Sequence, residues 1–174
     1  MTPKERWLAA IRREPADRLP FWPKLNASYP PAQEEPFRSM TIDAIHDWIG
    51  SDKHVGVGSC VREIRPNSSV TVERKGNRRF HHFTVPAGTV TRIDEFDEAS
   101  HSFHPVQFPV RTSQDIAVMR EWYADASYEM HEDRLEQVRQ TCLAYGDDAV
   151  THPAVGHSPL MYWVEWIAGI ENAH

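Results

Sequence analysis

Five polar or reactive side chains stand in loops or at strand ends predicted from the sequence, where substrate contacts are common. Lys24, Asn26 and Tyr29 form a polar loop after an apolar segment. Cys60 ends a predicted strand, and His157 follows a later one in a turn where it could hydrogen-bond a substrate. We interpret all five as candidate substrate contacts. The structural alternatives are that Cys60 is a small buried thiol and that His157 satisfies the backbone of its turn.

Clusters of histidine and acidic residues could bind a metal, but their spacing argues against it. His81 and His82 are adjacent in a predicted hairpin, so their side chains face opposite sides of the sheet. His101 and His104 precede a proline, which disfavours a helical chelate, and the acids within residues 94–98 lack the spacing and glycine of a calcium loop. We therefore predict no metal and no cofactor within this chain.

Composition limits the classes of partner. The 174 residues include 25 acidic and 19 basic side chains, a formal net charge of −6, so no basic excess favours nucleic acid or an anionic membrane. No run of about 18 apolar residues could span a bilayer. Two cysteines make no disulfide framework, which indicates a reducing cytoplasm. We expect a cytoplasmic protein that binds a small molecule.

Helix signals recur along the chain. Thr2 and Glu5 form a capping box, with Pro3 at the first helical position. A second helix is predicted over residues 41–49, with Gly50 as its end. Further helices are predicted from Thr112 or Ser113, over residues 129–145, and over residues 160–170, where an almost wholly apolar helix should be covered on most sides.

Predicted strands alternate with these helices. Residues 54–61 resemble a strand buried on both faces, residues 149–155 a short strand, and residues 17–23 either a short strand or an extended segment. Antiparallel hairpins are predicted over residues 70–93. Alternating strands and helices favour a parallel α/β sheet of about three βα units. A closed (β/α)₈ barrel needs eight strands and about 250 residues, so we expect part of a barrel.

Several motifs in order resemble the uroporphyrinogen decarboxylase superfamily, which includes corrinoid- and coenzyme M-type methyltransferases. The motifs are TPKERWLAAIRREP at residues 2–15, DRLPFW at 17–22, GHSPLM at 156–161 and GIEN at 169–172. The resemblance implies the N-terminal half of a (β/α)₈ TIM barrel, usually a homodimer. Residues 62–95 would then be a β-hairpin insertion in a domain that covers residues 1–174.

The resemblance separates two branches of the superfamily. Its decarboxylases carry two carboxylate-binding arginines in the first loop, and these positions are Leu25 and Tyr29 here; their pyrrole-binding aspartate falls on Cys60. A thiol cannot accept the hydrogen bonds that a carboxylate accepts. The methyltransferase or demethylase branch is therefore favoured, with Zn²⁺ or a corrinoid protein engaged by residues expected beyond His174. The alternatives are a uroporphyrinogen decarboxylase of porphyrin biosynthesis, and a non-catalytic half-barrel module.

Overall fold

The computed structural model describes residues 1–154 and 156–172. The chain divides into two compact units, each of which is built from two stretches of sequence. The first unit comprises Met1–Val61 and Met130–Val155, and the second comprises Arg62–Glu129 and Gly156–His174. Each unit has its own sheet, and the described hydrophobic core lies in the second unit.

The first unit combines helices with one pair of strands. Its helices are α1 (Pro3–Arg12), α2 (Ile42–Trp48) and α4 (Glu132–Tyr145), its short 3₁₀ helices are Pro30–Ala32 and Phe37–Ser39, and its strands are β1 (Lys53–Gly56) and β8 (Ala149–His152).

Local capping signals set the helix starts in this unit. The Thr2 hydroxyl accepts a hydrogen bond from the Glu5 amide while the Glu5 carboxylate accepts one from the Thr2 amide, which confirms the predicted capping box. Thr41 caps α2 by accepting from the Ala44 amide, and Gly50 follows with a φ of 63°, a conformation that glycine adopts without strain. Both predicted helices are confirmed.

Strands β1 and β8 pair in parallel, with Lys53 opposite Ala149 and Gly56 opposite His152. Helix α1 packs on β8, and α4 leads directly into it. The predicted strand over residues 54–61 is wrong in length and burial, because β1 ends at Gly56, none of its residues is fully buried, and Val61 begins another strand. Val155, the predicted end of the second strand, lies outside the described residues.

Residues 17–23 form no strand in the structure, which leaves the extended alternative. Phe21 nevertheless exchanges backbone contacts with the start of β1. The Asp52 amide donates to the Phe21 carbonyl at 2.7 Å, and the Phe21 amide donates to the Asp52 carboxylate at 2.9 Å. These two bonds hold the extended segment beside β1.

The second unit is built on a four-stranded antiparallel sheet in the order β3–β4–β5–β6. The hairpins predicted over residues 70–93 are confirmed, and the sheet continues past them by one strand. The assignment of residues 62–95 as an insertion into a barrel stays a prediction. The strands of this sheet are β3 (Ser69–Lys75), β4 (Arg78–Val85), β5 (Gly88–Asp97) and β6 (Ser102–Gln107). Two further strands, β2 (Val61–Ile64) and β7 (Ser127–Met130), pair separately, and their end residues Val61 and Met130 belong to the first unit.

Helix α3 (Ser113–Ala124) closes one face of this sheet. Thr112 is its cap, which decides between the two predicted starts. The core beneath it is apolar and almost inaccessible to solvent, and Met119 is 0% exposed. Its buried residues are Phe83, Val85, Val90, Val110, Met119, Trp122, Ile167 and Ala168.

The predicted final helix over residues 160–170 is corrected in both continuity and burial. It consists of α5 (Pro159–Tyr162), a π-helical segment (Trp163–Ala168) and a 3₁₀ turn (Ile170–Asn172). Only Ile167 and Ala168 enter the core, whereas Leu160 is 69% exposed and Ile170 is 81% exposed. The π segment changes the angular spacing of its side chains, so one continuous apolar face cannot persist. The predicted helix over residues 129–145 begins three residues later, because Ser127–Met130 is β7.

The chain is therefore a mixed α/β protein. No sheet formed by the described residues closes into a barrel. The longest described helix has 14 residues, and no helix in this part of the chain is long and apolar enough to cross a bilayer.

Candidate functional site

Two histidine rings meet at the carboxyl edge of the parallel pair in the first unit. His54 is the second residue of β1, and His152 is the last residue of β8. Their imidazole rings stack with centroids 4.3 Å apart and planes 25° apart. Gly56, opposite His152 in the register, has no side chain, so the His152 ring borders an open position at the strand end.

Two tryptophans surround the inner histidine. Trp22 meets His54 edge-on at 5.2 Å between ring centroids, and Trp7 lies 5.3 Å from it on another side. Trp22 also stacks on His46 with the two planes 6° apart. Aromatic pairs in these geometries add stability beyond the area they bury. We call Trp7, Trp22, His46, His54 and His152 the histidine–tryptophan cluster.

The histidines of the cluster differ in burial and so in chemistry. Burial lowers the pKa of His54, and the nearby His152 lowers it further. Burial also lowers the pKa of His46, whose Nδ1 lies 2.8 Å from the Ser51 hydroxyl. Both rings are therefore neutral at pH 7, and His46 is used structurally. His152 is exposed, so its imidazole is the one available to a ligand.

A buried ion network holds the backbone around the cluster. The Asp52 side chain is 1% exposed and accepts from Arg6, from both terminal nitrogens of Arg18 (2.6 and 3.0 Å) and from the Phe21 amide. Burial alone would raise the pKa of Asp52, but the Phe21 amide and the two guanidinium groups outweigh it and the pKa is lowered. Arg6 also pairs with Asp17, whose pKa it lowers strongly.

This network explains why the tryptophans stand where they do. Arg6 precedes Trp7 on α1, the Phe21 amide precedes Trp22 on the extended segment, and Asp52 precedes β1. The Trp7 indole N–H also donates to the Asp52 carbonyl at 2.8 Å. Helix α1 and the extended segment are thus both tied to the carboxylate that precedes β1.

Backbone hydrogen bonds continue past the strand ends. The Val57 amide donates to the His152 carbonyl at 3.0 Å, and the Ala154 amide donates to the Gly58 carbonyl at 2.8 Å. The two loops that leave the parallel pair therefore stay side by side. His152 lies at the base of these loops.

The predicted loop contacts lie in the first unit but outside the cluster. Lys24 and Asn26 are exposed, and Tyr29 is 37% exposed. The Asn26 side-chain oxygen accepts from the Ser28 amide at 3.0 Å, so it stabilises a turn. Among the described residues, none of these three is a hydrogen-bond or ring partner of the cluster.

Cys60 is placed differently from expectation, whereas His157 follows β8 in a loop. Cys60 follows the end of β1 by four residues rather than ending it, and its carbonyl accepts from the His131 amide at 2.8 Å. His157 is exposed and belongs to the second unit, where its ring lies 5.8 Å from Tyr162. The roles of the five predicted residues stay predictions, and His54, His152 and Trp22 were not among the residues that the sequence reasoning singled out.

The described residues do not fit a zinc ion. Nowhere in residues 1–154 and 156–172 do three or more His, Cys, Asp or Glu side chains gather as metal ligands. A zinc-bound thiol thus has no ligand set in this part of the chain.

Comparison of the chain with protein-family models, curated proteins and solved structures gave no match.

Proposed function

We propose that this chain is the N-terminal part of a (β/α)₈ enzyme of the uroporphyrinogen decarboxylase superfamily, from the methyltransferase or demethylase branch. The observation that carries the proposal is the exposed His152 at the carboxyl edge of the parallel pair β1–β8. In barrels of this kind the active site lies at that edge, because the loops after the strands converge there.

The connectivity of the first unit supports a barrel assignment. β1 and β8 are parallel neighbours, and α4 precedes β8 as the crossover helix of a βαβ unit does. Most of the second unit, Arg62–Glu129, lies between them in sequence, as an insertion would, and its remaining stretch follows β8. The proposal includes a small-molecule substrate, a cytoplasmic setting, and a homodimer or corrinoid protein as partner.

The cluster supplies proton chemistry and an aromatic wall. A thiol acceptor loses a proton when it is methylated, and the exposed imidazole of His152 is a side chain of the type that accepts such protons in general base catalysis. His54 stacks beneath His152 and stays neutral, so it adds no opposing charge. The step that the proposal assigns to the described residues is substrate positioning and proton uptake.

Methyl transfer tests the proposal directly. The protein translated from the complete reading frame is incubated with methylcobalamin and a thiol, and loss of the methyl group is followed by the corrinoid absorbance. His152→Asn should lower the rate by about 100-fold, the low end for loss of a general base. His104→Asn is the matched control, because His104 is an exposed histidine of the second unit that hydrogen-bonds only Ser100 and Ser102 among the described residues.

Parallel incubation with uroporphyrinogen tests the runner-up. Leu25 and Tyr29 offer no guanidinium to the substrate carboxylates, so we expect no decarboxylation. Formation of coproporphyrinogen would replace the proposal with the decarboxylase. Activity in neither assay would favour the non-catalytic module.

A further inference from the structure

The sheet of the second unit has one face that changes from apolar to basic along its strands. Strand alternation and the register place Phe83 and Val90 on this face beneath α3. Farther along the same face, His81 lies opposite Arg92, and Arg79 opposite Asp94. Arg74 lies opposite Arg79 on the neighbouring edge strand β3. We call Arg74, Arg79 and Phe103 the arginine–phenylalanine patch.

Two guanidinium groups of the patch converge on a single ring. The Arg79 Cζ atom lies 3.5 Å from the centroid of Phe103, and the Arg74 Cζ atom lies 5.9 Å from it. A stacked guanidinium keeps its N–H groups directed outward in the plane, where they can bind an anion. Phe103 itself is held by Phe96, with centroids 5.1 Å apart. The ring therefore orients the Arg79 guanidinium and lies within cation–π range of the Arg74 guanidinium.

No carboxylate of the described residues neutralises this pair. Neither Arg74 nor Arg79 forms a salt bridge or hydrogen bond with another described side chain. The one acid on this face, Asp94, is already engaged by Arg92 at 3.0 Å and by His81 at 2.9 Å. Like charges directly opposite each other on neighbouring strands are unfavourable. The two arginines therefore need an anion, and the described residues do not supply one.

The charge of the face is local and positive. The face carries three arginines and a single acid, Asp94, although the whole chain has a formal net charge of −6. The three arginines are Arg74, Arg79 and Arg92. Burial lowers the pKa of His81, as does the adjacent Arg92, so this histidine adds no charge at neutral pH. Two unneutralised guanidiniums match the two charges of a phosphate monoester better than the single charge of a carboxylate.

We propose that the arginine–phenylalanine patch is a binding site for a phosphate monoester group. Arg74 and Arg79 donate paired hydrogen bonds to the phosphate oxygens, while Phe103 orients both guanidiniums. The site lies in the second unit and is independent of the methyl-transfer proposal. The shared chemistry is the phosphate dianion, which a phosphorylated metabolite or a phosphoserine side chain would supply.

Inorganic phosphate is the probe. It is titrated into the full chain at pH 7.5 and constant ionic strength, with chloride as the balancing anion, and binding is followed by calorimetry and by the ³¹P signal. We expect saturable binding with a dissociation constant on the order of 1 mM, from two charge-assisted contacts. Arg74→Gln and Arg79→Gln should each weaken it about tenfold or more, and Arg79→Lys should weaken it too because the planar fork is lost.

Arg78→Gln is the matched control. Arg78 is the neighbour of Arg79 on β4, points to the opposite face and pairs with Glu95 at 2.6 Å. The Arg78→Gln variant should bind phosphate with the same affinity as the wild type. Thermal melts followed by circular dichroism identify a variant that fails to fold. If the Arg79 variants unfold, Arg74→Gln alone tests the proposal, because Arg74 is exposed.

Any of three results would overturn the proposal. The first is no saturable binding up to about 20 mM phosphate, and the second is a chloride signal equal to the phosphate signal, which simple screening would give. The third is an equal loss of phosphate affinity in Arg78→Gln and Arg74→Gln. A sugar monophosphate and a phosphoserine peptide are then compared with inorganic phosphate. The tighter of the two identifies the source of the group.

Discussion

His54 and His152 stack their imidazole rings with centroids 4.3 Å apart, one from each strand of the parallel pair β1–β8. The contact joins residues that are almost a hundred positions apart in sequence. Because Trp22 closes the other side of His54, the inner ring has lost much of its contact with water, whereas the outer ring is exposed. One histidine thus serves the packing of the first unit, and the other is available to a ligand.

The lowered pKa values of His46 and His54 predict acid sensitivity near pH 6. Above the unfolded-state value of 6.5 both rings are neutral in either state, and they contribute no pH dependence. As the pH falls below 6.5 the unfolded chain binds protons that the folded chain excludes, so the free energy of unfolding decreases until the folded-state pKa is passed. Urea unfolding at pH values from 8 to 5 measures this slope.

His54→Phe keeps a flat ring but removes the titrating nitrogen, and it should make the slope shallower. His104→Gln, an exposed histidine in the other unit, should leave the slope unchanged. Equal slopes for wild type and His54→Phe would show that burial of His54 has no part in the acid sensitivity.

Local signals in the sequence were sufficient where the structure is decided locally. The capping box of Thr2 and Glu5 lies within one helical turn, and the tight turn at Gly76 joins β3 to β4 with a φ of 59°. In both places neighbouring residues fix the backbone, and the predicted capping box and hairpins are confirmed.

The sequence reasoning failed where contacts between distant segments of the chain determine the structure. The apolar run around Val57 does not reveal that the ladder with β8 stops at Gly56, so Cys60 was placed at the wrong point. The pairing of His54 with His152 depends on which strands become neighbours. The signal was nevertheless present, because two predicted strands each contained a histidine, and aligning them in parallel would have suggested the contact.

Loss of the Asp52 carboxylate should destabilise the first unit strongly. Asp52→Asn leaves the buried Arg6 guanidinium with Asp17 as its remaining charged partner among the described residues, and breaking a buried ion pair costs about 3 kcal/mol. The matched control is Asp47→Asn, because Asp47 is 67% exposed and its pair with Lys53 should contribute less than about 1 kcal/mol. Urea denaturation at pH 7 measures both, and similar costs would contradict the assigned role of Asp52.

The core of the second unit should be sensitive at Met119. Met119 is 0% exposed, and truncating a buried methionine to alanine costs about 3 kcal/mol through lost contacts and a residual cavity. Ile116→Ala on the same helix is the control, because Ile116 is 47% exposed and its loss should change stability by about 0.5 kcal/mol or less. Thermal unfolding compares the two variants; equal shifts in Tm would mean that α3 does not pack as described.

Deletion of residues 70–85 distinguishes a peripheral hairpin from a structural one. The deletion removes Phe83, which is 4% exposed and meets Trp122 edge-on at 5.3 Å, together with the buried Val85. We therefore expect the near-ultraviolet signal of Trp122 and the cooperative unfolding of the second unit to be lost. Val72→Ser is the control, because Val72 is 58% exposed on the edge strand and should be tolerated. Retention of a cooperative transition after the deletion would instead show that α3 and Ile167 form a sufficient core without β4.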